Sequence, residues 1–170
     1  GGTLYDIEYL TQETGKRIAA FGYWAGFAGA YVALKVWISQ LKKEECAPLS
    51  AFNDKKKLLD DVSNEINSVK TLPTAIIIGS LGRVGTGVSD FCENLSLIVK
   101  KWDLTETVSG GPFHEILNHE ILFNCVVATP KTPVFFQPDY IASKRKLSVI
   151  GDIACDPDSD YNPIPIYSAP

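Results

Sequence analysis

Apolar positions recur along this chain in two rhythms, one helical and one strand-like. From Ile18 to Leu34 there are 17 residues without a single charge, interrupted by Gly22, Gly26 and Gly29. That length falls short of the roughly 20 apolar residues a bilayer span needs. It is read instead as a helix buried in a protein core, continuing to Leu41 and breaking in the polar stretch around Pro48. The Gly22/Gly26 spacing lets a second helix approach closely. Asn53 to Lys70 predicts a second helix, with Leu58, Leu59, Val62, Ile66 and Val69 on one face and Asn53 or Asp54 as its cap. Its charged side, Lys55 to Lys57 with Asp60 and Asp61, reads as solvated.

Past Lys70 the rhythm changes to short apolar runs. Ala75 to Ile78, bounded by Pro73 and Gly79, predicts a strand over Thr74–Gly79 that is buried on both faces of a parallel sheet. A helix from Arg83 to Leu95 and a strand from Ser96 to Lys101 follow, then runs at Ile121–Val127 and Lys146–Ala154 that predict further parallel strands. Phe113–His119 predicts a short helical connection, and Thr132–Ser143 a helix or loop limited by Pro133 and Pro138. The alternation predicts an α/β, Rossmann-like fold: a mostly parallel, twisted sheet flanked by helices.

The joint between the first strand and its helix carries the candidate chemistry. Gly79, Gly82 and Gly85 recur at a spacing of three. Glycine serves where φ is positive or where backbone must approach a ligand closely. A turn of this kind running into a helix aims backbone N–H groups at one spot, which suits a phosphate. Asp103 lies 24 residues after Gly79, at the carboxyl end of the second strand. An acid there accepts the hydroxyls of an adenosine ribose and repels a 2′-phosphate, favouring NAD over NADP. The bland alternative makes the glycines a tight turn and Asp103 a surface residue. Other classes with a similar turn are an S-adenosylmethionine-dependent methyltransferase and a non-catalytic dinucleotide-binding module.

Composition narrows the rest. At 170 residues and 45% apolar, the chain suffices for one ordinary domain. A net charge of −4 with no basic stripe argues against a nucleic-acid partner. Cys46, Cys92, Cys125 and Cys155 form no C-x-x-C and stand near neither His114 nor His119, so no metal site is expected and free thiols are. Both histidines are expected at the surface, without a catalytic role. The chain lacks methionine and begins at Gly1, which suggests a piece of a longer protein.

Several stretches together resemble one family: Gly1–Asp6, Arg17–Gly22, Ala25–Ala30, Gly-x-Leu-Gly-Arg at 79–83, Lys101–Asp103, Gly110–Phe113, Phe123–Cys125 and Asn162–Tyr167. The chain resembles the fungal-type, NAD-dependent, L-lysine-forming saccharopine dehydrogenases from end to end. The resemblance implies oxidative deamination of saccharopine with NAD and water, giving L-lysine, 2-oxoglutarate and NADH. It implies that Gly82 and Arg83 hold the pyrophosphate and Asp103 the adenosine ribose, with Lys16, Thr107, Val127 and Ile153 also at the cofactor. Arg17, Phe21, Ala154, Cys155 and Asp156 are the implied saccharopine contacts. Lys16 stands where the family can have arginine, and Val127 where it can have an aromatic residue. The family's proton-transfer lysine and histidine lie upstream of Gly1, so no residue here is assigned catalysis. Residues 1–20 are then a segment entering from an N-terminal domain, and 21–170 the NAD-binding domain. A monomer is expected, with no membrane partner, in the cytoplasm or alternatively the peroxisome.

Overall fold

The computed structural model describes residues 1–167, apart from the side chain of Glu8; the last three residues of the expected domain lie outside the described ones. Helix α1 spans Gly22–Lys42 and α2 spans Lys55–Val69. Then come β1 (Thr74–Ile78), α3 (Arg83–Asn94), β2 (Ile98–Trp102), the single turn α4 (Leu104–Thr107), β3 (Ile121–Asn124) and β4 (Val149–Asp152). Among the described residues the four strands form one sheet, all parallel, in the order β2-β1-β3-β4. This is an α/β, Rossmann-like sheet.

β1 is central because its run of β-branched residues has no polar side to show. Ala75 and Ile77 face one core while Ile76 and Ile78 face the other. The first core lies under α1, α2 and α3, with Phe27, Leu34, Ile38, Val62, Val88 and Phe91 buried in it. The second face is covered by irregular chain and short 3-10 turns at His114–Asn118 and Pro138–Ile141, which bury Phe113, Ile116, Phe135, Phe136 and Tyr140.

α1 carries no charge before Lys35 and packs against the sheet, α2 and α3. Its glycines admit α3: a Cβ on Gly26 would stand 2.8 Å from the Val84 carbonyl carbon, and one on Gly87 of α3 would stand 2.9 Å from the Phe27 nitrogen. Among the described residues no helix is long and apolar enough to cross a membrane. Toward its end α1 buries Lys35, whose ammonium pairs with Asp61 and Glu65 of α2.

Several expectations need correction. The strands are shorter than their apolar runs: β3 stops at Asn124 and β4 starts at Val149. β2 starts at Ile98 because Ser96 takes a left-handed turn (φ 56°), and it is a half-exposed edge strand. The charged side of α2 is not simply solvated. Lys55 pairs with Asp90 of α3 and Asp61 with α1, so it bridges helices. His119 is not a surface residue: its side chain is 14% exposed, beside Glu115 at the amino end of the sheet. His114 is exposed and tilts against Tyr140.

Candidate functional site

The carboxyl ends of the strands open on a cleft of about 930 Å³, within the usual range for small-molecule sites. It lies at the switch point of the sheet. From β1 the chain goes by α3 to β2 on one side, and then returns to β3 on the other. Ligands of open α/β sheets sit at such a point.

Gly79 leaves β1 with φ 87°, and the N–H groups of Gly79 and Ser80 both donate to the Trp102 carbonyl, at 2.9 and 3.0 Å. This pins the turn to the end of β2. Gly85 is needed because a Cβ there would fall 2.6 Å from the Ser80 Cα. Gly82 differs. It caps α3 in extended backbone (φ −73°, ψ 170°), which any residue adopts. Among the described residues an added Cβ would meet only the Gly79 carbonyl oxygen, at an ordinary 3.5 Å. The fold explains Gly79 and Gly85 but gives no reason for Gly82, which lines the cleft at the amino end of α3.

Asp103 stands beside this turn and is tied into it. One carboxylate oxygen accepts the Leu81 N–H at 2.9 Å, and the other accepts the Leu104 N–H at 2.9 Å. Glu106 accepts the Asp103 N–H at 2.7 Å, completing a capping box on α4. The same box has the Asp103 side chain accept the Glu106 N–H as well, so of about four acceptor positions on the carboxylate about one remains. Thr107 is buried against the cleft, and its hydroxyl donates to the Asp103 carbonyl at 2.9 Å.

Residues 10–18 form a small antiparallel loop closed by the Thr11–Arg17 bridge, and Arg17 of this loop lines the cleft. Arg83 reaches across, its Nη2 donating to the Arg17 carbonyl at 2.8 Å. Arg17 and Phe21 face the cleft on this side. Opposite them Val127, Ile153 and Ala154 form the wall that follows β3 and β4.

The cleft thus brings together Arg17, Phe21, Gly82, Arg83, Asp103, Thr107, Val127, Ile153 and Ala154. Lys16, Cys155 and Asp156 are exposed and are not among the residues lining it. Cys125 lies at the cleft floor, where burial pushes its thiol up to about 12 and keeps it neutral. All four cysteines are free thiols.

Sequence reasoning missed Asn124 and Asp152, paired neighbours at the carboxyl ends of β3 and β4. Asn124 is fully buried, and its amide donates to Asp152 Oδ1 at 2.9 Å. The signal was present as one polar residue closing each apolar run, Ile-Leu-Phe-Asn and Val-Ile-Gly-Asp.

The strand order, the glycine turn at its switch point and the acid after β2 define a Rossmann-like α/β domain with a nucleotide-sized cleft. In sequence the chain is similar to curated saccharopine dehydrogenases. It is 36% identical over 178 residues to "Saccharopine dehydrogenase [NAD(+), L-lysine-forming]" of Yarrowia lipolytica, covering 98% of this chain and 48% of that protein. The proteins of the same name from Neurospora crassa and Candida glabrata are 38% and 39% identical, covering 99% and 98% of this chain and 48% of each relative. The chain spans about half the length of the curated relatives it matches. No protein-family model matches the chain.

Proposed function

We propose that this chain is the NAD-binding part of a saccharopine dehydrogenase, acting in oxidative deamination of saccharopine to L-lysine and 2-oxoglutarate. The observation that carries the reading is Gly82. It is a glycine that the fold does not need, placed where the amino end of α3 lines the cleft. A pyrophosphate at that point explains why a Cβ is absent. The printed names of the relatives, which specify NAD(+), support the choice of cofactor.

In this reading Gly82 and Arg83 hold the pyrophosphate, and the remaining acceptor position of Asp103 takes an adenosine ribose hydroxyl. The rest of the dinucleotide lies over the ends of β3 and β4, toward Val127 and Ile153, while Lys16 approaches from the loop of residues 10–18. When bound, NAD supplies the hydride acceptor. The chain's own residues bind, orient and exclude water. Arg17 offers a guanidinium to a substrate carboxylate, which it can grip through two parallel hydrogen bonds. Phe21 and Ala154 flank it, and Cys155 and Asp156 lie just beyond. We assign residues 1–20 to a segment that connects with a second domain, where the proton-transferring groups reside. The isolated chain should therefore bind cofactor and turn over negligibly, since positioned acid–base groups supply about 10²–10⁴-fold.

Calorimetric titration of the chain with NADH, NADPH and S-adenosylmethionine tests the reading. NADH should bind, NADPH should bind at least about tenfold more weakly, and Gly82→Ala should weaken NADH at least about tenfold while leaving the fold intact. Heat with S-adenosylmethionine alone, or NADH binding untouched by Gly82→Ala, would overturn it.

A further inference from the structure

The cleft has two halves, and the second is held by a brace with no role so far. Strand order places the end of β2, with Asp103, on one side of the glycine turn, and the ends of β3 and β4 on the other. A ligand with its phosphates at Gly82 and one sugar on Asp103 must lay its other half across β3 and β4. The wall there consists of two loops, one after Asn124 and one after Asp152, and both begin at polar side chains bonded to each other.

Asn124 Oδ1 accepts the Val126 N–H at 3.2 Å, and its Nδ2 donates to Asp152 Oδ1 at 2.9 Å. That same oxygen accepts the Cys155 N–H at 3.3 Å, closing the turn that carries Ile153 and Ala154. Asp152 Oδ2 accepts the Tyr167 hydroxyl at 2.6 Å, which fastens the distant segment containing Tyr167 to the same point. Cys155 is held with φ 47°, a left-handed conformation that a non-glycine residue rarely adopts unless its surroundings impose it. Burial and the nearby carboxylate keep the Tyr167 hydroxyl protonated well above the ordinary phenol range, so it stays a donor. One carboxylate therefore collects three donors from three separate segments of chain.

We propose that Asp152 is a positioning residue for the far half of the cleft, braced by Asn124 and Tyr167, so that the loops at Val126 and Ile153 hold the non-adenosine half of a dinucleotide. The proposal rests on the dinucleotide reading above. Asp152 itself does not line the cleft; it acts through the two loops. Its removal should cost the ligand's second half and spare the first.

The test compares ADP, which carries the adenosine half alone, with NADH, by calorimetry on the 170-residue chain, alongside thermal unfolding. Asp152→Ala should weaken NADH about tenfold while ADP stays within about twofold of wild type. Asp152→Asn, which keeps an acceptor oxygen for the Cys155 N–H, should recover most of that loss. Tyr167→Phe, a milder change at the rim that leaves Asp152 in place, should weaken NADH about threefold with ADP unchanged. It decides the matter if Asp152→Ala does not fold. Equal weakening of both ligands would make the brace merely structural, and unchanged NADH binding would remove its role altogether; either overturns the proposal. If wild type binds neither ligand, the dinucleotide reading fails first and this proposal with it.

Discussion

The α1–α3 contact and the turn that opens α3 are both built from glycine, yet glycine is there for different reasons. At the helix contact, Gly26 and Gly87 let two backbones touch, and any side chain would have to occupy space already filled by main chain. At the turn, Gly79 serves a positive φ and Gly85 a backbone contact, while Gly82 has ordinary dihedrals and open space around it. Residue type alone cannot tell these apart; the neighbours can. A glycine with a filled shell belongs to the fold, and one with an empty shell facing a cleft is, in the proposed reading, kept for a ligand.

The largest effect is expected where the shell is full. Gly87→Ala should destabilise by about 3 kcal/mol, since the atoms in the way are the main chain at Tyr23 and Phe27 and cannot rotate aside. Urea unfolding measures this, and NADH affinity of the folded fraction should be unchanged. A stable Gly87→Ala variant would mean that the two helices do not approach this closely. Gly82→Ala should do the opposite. A slightly poorer helix cap and a less flexible unfolded chain nearly cancel, leaving stability within about 0.5 kcal/mol. NADH affinity should fall at least tenfold, about 1.4 kcal/mol. If both variants lose stability together, the distinction between the two kinds of glycine is wrong.

This difference marks how far the chain could be read unaided. The unit from Thr74 to Asp103 was legible because its parts are adjacent in sequence and each demands its neighbour: apolar strand, turn, helix, edge strand, acid. The partner of Gly22 and Gly26 was not, because Val84 and Gly87 lie some sixty residues away and only the folded chain brings them together. Nor was the second face of the sheet. Phe113, Phe135, Phe136 and Tyr140 cover it from segments without helical or strand periodicity, so no pattern announces them. Asn124 and Asp152 were visible as polar ends of strands, but their pairing depends on register between β3 and β4, which a single sequence does not specify. Of the site, Gly79, Gly82 and Asp103 came from one local motif, whereas Arg83, Thr107, Arg17, Phe21 and the far wall depended on resemblance.

Asp103 tests the border between the two regions, because it belongs to both fold and cleft. Asp103→Ala should cost about 1 kcal/mol through the lost α4 cap, and the Leu81 N–H would lose its acceptor as well. Asp103→Asn keeps one oxygen, for one of these two N–H groups, so only part of the stability should return. Without the negative charge, however, preference for NADH over NADPH should shrink. Measured side by side, stability should separate Ala from Asn while cofactor preference separates both from wild type. If Asp103→Asn retains full preference for NADH, the carboxylate is a cap and nothing more.

The smallest effect concerns the polar clamp over the helix contact. Asp90 on α3 accepts from Lys55 of α2 and Tyr23 of α1, so one carboxylate joins three helices. These hydrogen bonds, that from Lys55 foremost, hold its carboxyl below the ordinary aspartate value. A depressed folded-state value means the clamp contributes in full above the unfolded carboxylate range and is lost as pH falls through the lower, folded one. Stability should therefore decline below about pH 4. Asp90→Asn should remove part of that slope while also lowering stability at pH 7. The side chains of Lys55 and Asp90 are 35% and 33% exposed, so solvent screens the pair and the effect stays modest. Glu115 and Glu120 also have lowered carboxyls, so the informative quantity is the difference between wild type and Asp90→Asn at pH 3 and pH 7. NADH affinity at pH 7 should be equal in the two proteins. Asp90 lines a separate surface hollow, on the far side of the glycine turn from the cleft walls at Val127 and Ile153. A change in affinity without a change in stability would place Asp90 with the ligand after all, and the line between glycines of the fold and glycine of the site would have to be redrawn around α3.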